Sequence, residues 1–244
     1  MQSIRPLFLT RAKFEEISEP LHITQKLRTK GAAITEPEAE RFLDWIVYEA
    51  RKFVLKAKIE TFNEKADPHA PRPDMTTDYT AGECSFTQCI AGYAMQDRGL
   101  NPVQMAAQDI KNHTIGHAMQ TVPLPLESGT THYLVDPTYR QFCDPSQPTF
   151  SGDERFKKAT MPGYLLEKEE GGPAIVEKLM RDGHIKLTPD IAQKYLASFT
   201  GGNSTFNSPD QALDFMKKEP EGGKGYFGFG REPMKVRGFM VIVT

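Results

Sequence analysis

The chain has 244 residues, 39% of them apolar and 25% charged, with a formal charge of −2 at pH 7. That length can bury a substantial core, and the near-neutral charge gives no bulk attraction to nucleic acid or to an anionic membrane. The opening apolar cluster Leu7-Phe8-Leu9 lies between Arg5 and Arg11 and is too short for a cleavable leader or a spanning helix, so membrane insertion is not expected.

In chain order, Leu21 to Leu27 forms a short amphipathic stretch that ends near Gly31. Thr35-Glu36-Pro37-Glu38 then sets a capping threonine before a proline-bearing, acidic first turn. Phe42, Trp45, Ile46, Phe53 and Ala57 continue at helical spacing to about Phe62, a face expected to pack into a core. Residues 66–79 are proline-rich and read as an extended connector. The chain therefore divides into an N-terminal helical segment (1–65), this connector, and a domain over 80–244 that carries the chemistry.

Gly82-Glu83-Cys84 leads into a helix with Phe86, Ile90, Tyr93 and Ala94 as its apolar positions and Gly99 as its stop. A second short helix is expected from Pro102 to about Asp109. Thr114–Val122 and Thr131–Asp136 read as two strands joined by a loop at 123–130 that contains Pro123, Pro125 and Gly129. Ala174–Arg181, Pro189–Ser198 and Pro209–Lys217 are predicted helices. Phe239–Val243 is a strand apolar enough for burial on both faces. Helices and strands mix without strict alternation, which makes the class α+β.

The odd count of three cysteines leaves at least one thiol outside any disulfide, which favours a reducing compartment. A cysteine nucleophile needs thiolate character, a neighbouring base and a partner that orients the base. Cys84 sits at the first turn of its helix, where unpaired amides and the positive end of the dipole stabilise a thiolate. Cys89, further into the helix, and Cys143, beyond a strand, lack that setting and read as small buried hydrophobes.

Two histidines compete as the base. His132 and Asp136 lie four apart on one strand, about 13 Å along it, too far for a hydrogen bond. His117 is different. If 117 stands opposite 136 in an antiparallel hairpin, the two side chains share a face and Asp136 can orient the imidazole. Candidate oxyanion donors are the backbone amide of Cys84 and the side chain of Gln141 after the Pro137-Thr138 turn, although Gln141 taken by itself reads as an ordinary surface amide.

Gly-Glu-Cys84 at a helix start, Gly-His117-Ala-Met on a strand and His-Tyr-Leu-Val-Asp136-Pro-Thr-Tyr-Arg-Gln141-Phe resemble the transglutaminase-like branch of the papain superfamily. The likeness spans roughly residues 80–145 and is greatest to the Cys-His-Asp glutamine deamidase domains of bacterial toxins and effectors. It implies a papain/transglutaminase-like fold, with an antiparallel sheet packed on the helix of the catalytic cysteine and additional N-terminal and C-terminal helices. It also implies an oxyanion role for Gln141, a protein substrate bearing a reactive glutamine, and action in a cytoplasm, a host's included, reached without a cleavable signal. The departures are the absence of the tryptophan that often follows the cysteine or histidine in transglutaminase cores, and flanking helices (1–65, 174–217) with no counterpart. The same residues could serve a papain-like protease, a transglutaminase or, without catalysis, a binding module.

No cofactor is implied. His113, His117 and Cys84 lack paired metal-ligand spacing. Gly225-Tyr-Phe-Gly228-Phe-Gly230 mimics a phosphate loop but lacks the Gly-Lys-Ser/Thr ending and reads as a turn between strands. Its aromatics have no basic flank, so they suggest core and not nucleic-acid stacking.

Overall fold

The computed structural model describes residues 17–65, 83–109, 116–143, 162–199, 206–217, 225–229, 232–236 and 238–243. The 66–79 connector and His113 lie outside these. Helix α1 (Leu21–Arg28) precedes α2 (Glu36–Lys65), thirty residues long. The start of α2 is fixed by a reciprocal cap: the Glu38 amide donates to Thr35 Oγ1 at 3.3 Å, and the Thr35 amide donates to Glu38 Oε2 at 2.9 Å. Ala39, Phe42, Leu43, Ile46, Val47, Ala50 and Val54 form its buried stripe at helical spacing. Phe53 continues that stripe at i+7 from Ile46, yet it is 49% exposed, with its ring tilted against that of Phe86 at 5.7 Å.

The mixed elements make an α+β protein. A five-stranded sheet runs in the order β4-β3-β2-β1-β7, formed by β1 (Val103–Asp109), β2 (Gly116–Leu126), β3 (Gly129–Val135), β4 (His184–Lys186) and β7 (Gly238–Val243). Its first four strands are antiparallel, and β7 joins β1 in parallel. Strands β5 (Gly225–Phe229) and β6 (Glu232–Val236) pair separately, so the glycine-rich segment expected to be a turn is itself a strand.

Strand β1 corrects the short helix expected over 102–109. Its Gln, Met and Ala residues favour helix locally, but both of its edges are paired, to β2 and to β7, and those ladders override propensity. The hairpin is also tighter than the expected 123–130 loop. Gln120 pairs Val135 and Leu126 pairs Gly129, leaving Glu127 and Ser128 as a two-residue turn. Pro123 and Pro125 therefore lie within β2. They are tolerated because β1 begins its pairing only at Thr121, so their missing N–H groups face an edge without a ladder. On that edge Ile34 donates to the Pro125 carbonyl at 2.9 Å.

Helices cover both faces. One core joins α1 and α2 to Ala91 and Met95 of α3 (Cys84–Gln96) and to Val122, Leu124, Tyr133 and Val135 of the sheet. The N-terminal segment thus shares a core with the part of the chain that carries the candidate site. On the other face, Met105, Met119 and Leu134 meet α4 (Pro162–Glu167), α5 (Gly172–Asp182), α6 (Pro189–Phe199) and α7 (Pro209–Lys217). In α3 the buried positions are Cys84, Thr87, Gln88, Cys89, Ala91, Gly92 and Met95, whereas Tyr93 of the expected apolar face is exposed. The helix turns small and amide-bearing residues inward because it lies close to the strands. A Cβ added at Gly92 would stand 3.0 Å from Gln104 Nε2 and 3.2 Å from Gln120 Oε1.

Candidate active site

The site forms where β2 begins and β3 ends. Alternation along β2 sends Val122 and Leu124 toward α2 and α3 but Met119 toward the C-terminal helices. His117 shares the parity of Met119, and Asp136 that of Leu134, so both point to the α6 side. His117 Nε2 lies 2.6 Å from Asp136 Oδ2. The two are not directly opposed. Extending the observed register places Thr138, not Asp136, across from His117, two positions from the expected pairing. A shift of two preserves the face, so the contact forms diagonally. His132 lies across from Pro123, away from this strand end.

Asp136 is wholly buried, and its charge is met by several donors. His117 and the Tyr195 hydroxyl (2.8 Å) share Oδ2. The Thr138 amide (3.3 Å) and hydroxyl (3.2 Å) serve Oδ1 in an Asx-type turn across Pro137. The Asp136 amide donates to the Gly183 carbonyl at 2.7 Å, fixing the end of β3 on the end of α5. A 3-10 turn (Tyr139–Phe142) follows directly and folds Gln141 back, placing its Nε2 3.2 Å from His117 Nδ1 and 3.3 Å from Thr138 Oγ1.

Cys84 enters from the other side. It is the first residue of α3, and the preceding Glu83 makes no side-chain cap. The helix amides are thus not shielded by a capping carboxylate. Gln88, one turn later, donates to the Val135 carbonyl at 3.1 Å and ties this helix to the strand end carrying Asp136. The sulfur hydrogen-bonds His117 and accepts from the Ala118 amide. Nε2 of the ring faces Asp136, and Nδ1 meets the Gln141 amide.

The electrostatics follow from these contacts. Burial pushes the Cys84 thiol up, but the hydrogen bond and charge of His117 outweigh it, and the net shift is downward. Burial pushes His117 down, whereas the charge and hydrogen bond of Asp136, with those of Cys84, raise it to about 9. Cys89 has only the burial, which lifts it to about 11. None of the three cysteines is in a disulfide. The imidazole is held between rings, stacked on Phe199 at 5.4 Å and 7° and met edge-on by Phe142 at 4.6 Å.

The structure thus brings Cys84, His117, Asp136 and Gln141 together. Thr138 and Tyr195 also belong to the site, although neither was among the sequence candidates. Thr138 was readable, since a hydroxyl residue two beyond an aspartate is an Asx-turn signal. Tyr195 lies 59 residues from Asp136 on a separate helix and carries no local motif. Among the described residues, no three or more His, Cys, Asp or Glu side chains are grouped so as to hold a metal ion, and no helix is long and apolar enough to cross a membrane. No protein-family model, no curated protein and no solved structure matches the chain.

Proposed function

We propose that the protein is a cysteine-dependent acyl-transfer enzyme of papain/transglutaminase-like type, acting as a deamidase on a glutamine side chain of a protein substrate. One observation carries this reading: His117 holds a buried carboxylate through Nε2 and hydrogen-bonds the Cys84 thiol at a helix start. That polarity turns a histidine into a base with a fixed tautomer.

In the reaction, the Cys84 thiolate attacks the carboxamide carbon, forming the C–S bond while the carbonyl electrons move onto oxygen. The α3 amide of Cys84 and the Gln141 side chain stabilise that oxyanion. The proton given up by the Cys84 thiol is carried by His117 Nδ1, which then no longer accepts the Gln141 N–H, and the amide turns to the oxyanion. His117 then gives the Nδ1 proton to the departing nitrogen, which leaves as ammonia. Water adds to the thioester with His117 as base, releasing glutamate and the thiol. The resemblance to toxin and effector deamidases suggests a host protein as the target.

The test is peptide and intact-mass analysis of candidate proteins incubated with wild type and with Cys84→Ala. Ammonia release with a gain of about 1 Da at a glutamine, dependent on Cys84, is the expected result. Cleaved peptides would make the protein a protease, and amine incorporation a transglutaminase. No Cys84-dependent change in any candidate would leave the fold as a binding module.

A further inference from the structure

A buried polar layer lies between α3 and the sheet, one helical turn below Cys84. Gln104 and Gln120 are direct partners across β1 and β2, and Gln120 shares the parity of Val122 and Leu124, which face the helices α2 and α3. Both glutamines are buried, as is Gln88 on α3. Their Nε2 groups donate to the Gln88 carbonyl, Gln104 at 3.5 Å and Gln120 at 3.4 Å. Gln88 in turn donates from its own Nε2 to the Val135 carbonyl at 3.1 Å.

We propose that Gln88 is a positioning residue that keeps the Cys84 thiol in register with His117 by clamping α3 to the end of β3. The proposal rests on the reading of Cys84 as the nucleophile. The contacts close a ring. Cys84 meets His117, His117 meets Asp136, the chain steps back to Val135, and Val135 is held by Gln88, one turn from Cys84. That turn is braced internally, because the Glu83 carbonyl accepts from the Thr87 amide at 2.9 Å and from the Thr87 hydroxyl at 2.8 Å. A hydrogen bond is directional, so Nε2 on the Val135 carbonyl sets the height and rotation of α3, which apolar packing alone would let slide. Gln104 and Gln120 hold the backbone of the same residue from the sheet. The thiol depends on this placement, since the hydrogen bond and charge of His117 lower it against its burial. If α3 drifts, the burial stays and the lowering is lost.

The experiment is the pH dependence of Cys84 alkylation by iodoacetamide in the full chain, read by peptide mass for wild type, Gln88→Met, Gln120→Met and Gly31→Ala. Methionine keeps the length and helical preference of glutamine but removes the donor. Gln88→Met should raise the midpoint of the rate profile by about one pH unit and slow labelling at neutral pH about tenfold. Gln120→Met takes one donor from the Gln88 carbonyl and should shift the midpoint the same way by less, so it tests the clamp even if Gln88→Met does not fold. Gly31→Ala, whose added Cβ meets nothing within 4 Å, should keep the wild-type midpoint. A wild-type midpoint at or above the ordinary thiol value of 9.0 would remove the nucleophile reading and the proposal with it. A depressed wild-type midpoint that both glutamine variants retain, or that Gly31→Ala moves as far, overturns the role of Gln88 and leaves the nucleophile reading standing.

Discussion

The Tyr195 hydroxyl donates to the same Asp136 oxygen that faces His117, at 2.8 Å against 2.6 Å. This joins α6 to the end of β3 and makes a residue from the C-terminal half part of the candidate site. Tyr195→Phe keeps the ring packing against Tyr139 and Phe199 but removes one donor from a buried carboxylate. A hydrogen bond to a charged group is worth about 1.5–3 kcal/mol, so urea unfolding should show a loss of that size. An unchanged midpoint would mean that the hydroxyl does not serve Asp136.

Asp136→Asn isolates the carboxylate's effect on the base. Burial lowers His117, and Asp136 is first among the groups that oppose it, so in the variant the imidazole should titrate well below the wild-type value of about 9, with only Cys84 left to raise it. The asparagine can also present its N–H₂ to Nε2 and favour the wrong tautomer. In a serine-protease triad the same exchange lowers kcat on the order of 10⁴-fold, and a comparable loss is expected in the deamidation assay. Titration of the His117 ring by NMR measures the shift directly. A ring that still titrates near 9 would refute the role given to Asp136.

The wild-type pH profile follows from two shifts of opposite sign. His117 is raised, so its contribution to stability is fully present below 6.5 and disappears as pH rises through about 9. Cys84 is lowered, so its contribution is present above the ordinary thiol value of 9.0 and is lost as pH falls through its depressed folded value. Between the two folded values the pair is thiolate and imidazolium. Alkylation by iodoacetamide should therefore be fast at Cys84 at neutral pH and slow at Cys89, which burial holds near 11. Activity should decline above about pH 9 as His117 loses its proton. Equal, slow labelling of both cysteines would remove the basis for a catalytic thiol.

How far the sequence could be read depended on the range of the interactions. Parity along a strand is local, so His117 and Asp136 could be assigned to one face even though the expected register was off by two. Pro123 and Pro125 read locally as loop residues, because nothing in their neighbourhood reveals that β1 stops short of them. Val103–Asp109 looked helical because its strand character comes entirely from β2 and β7. Thr35, by contrast, caps α2 through contacts within three residues, and its role was legible. Tyr195, Phe199 and Gly183 reach the site only through the tertiary fold.

Gly183 combines two constraints that a substitution can separate. It ends α5 with φ of 70°, a conformation that costs a residue with a Cβ. That Cβ would also stand 2.9 Å from Val47 Cγ1, 3.0 Å from Arg51 Nη2 and 3.2 Å from Pro137 Cα. Its carbonyl holds the Asp136 amide, so any shift moves the carboxylate that orients His117. Gly31 has a similar φ of 80° but nothing within 4 Å of its added Cβ. Gly31→Ala should thus cost only the backbone strain, about 1 kcal/mol, and leave Cys84 alkylation unchanged. Gly183→Ala should cost about 1–3 kcal/mol from strain plus the clash, and slow Cys84 alkylation at neutral pH. Denaturant melts and labelling rates of the two variants, measured side by side, make the comparison. Equal effects would mean that the Gly183 carbonyl contributes nothing to the geometry of the site beyond ending a helix.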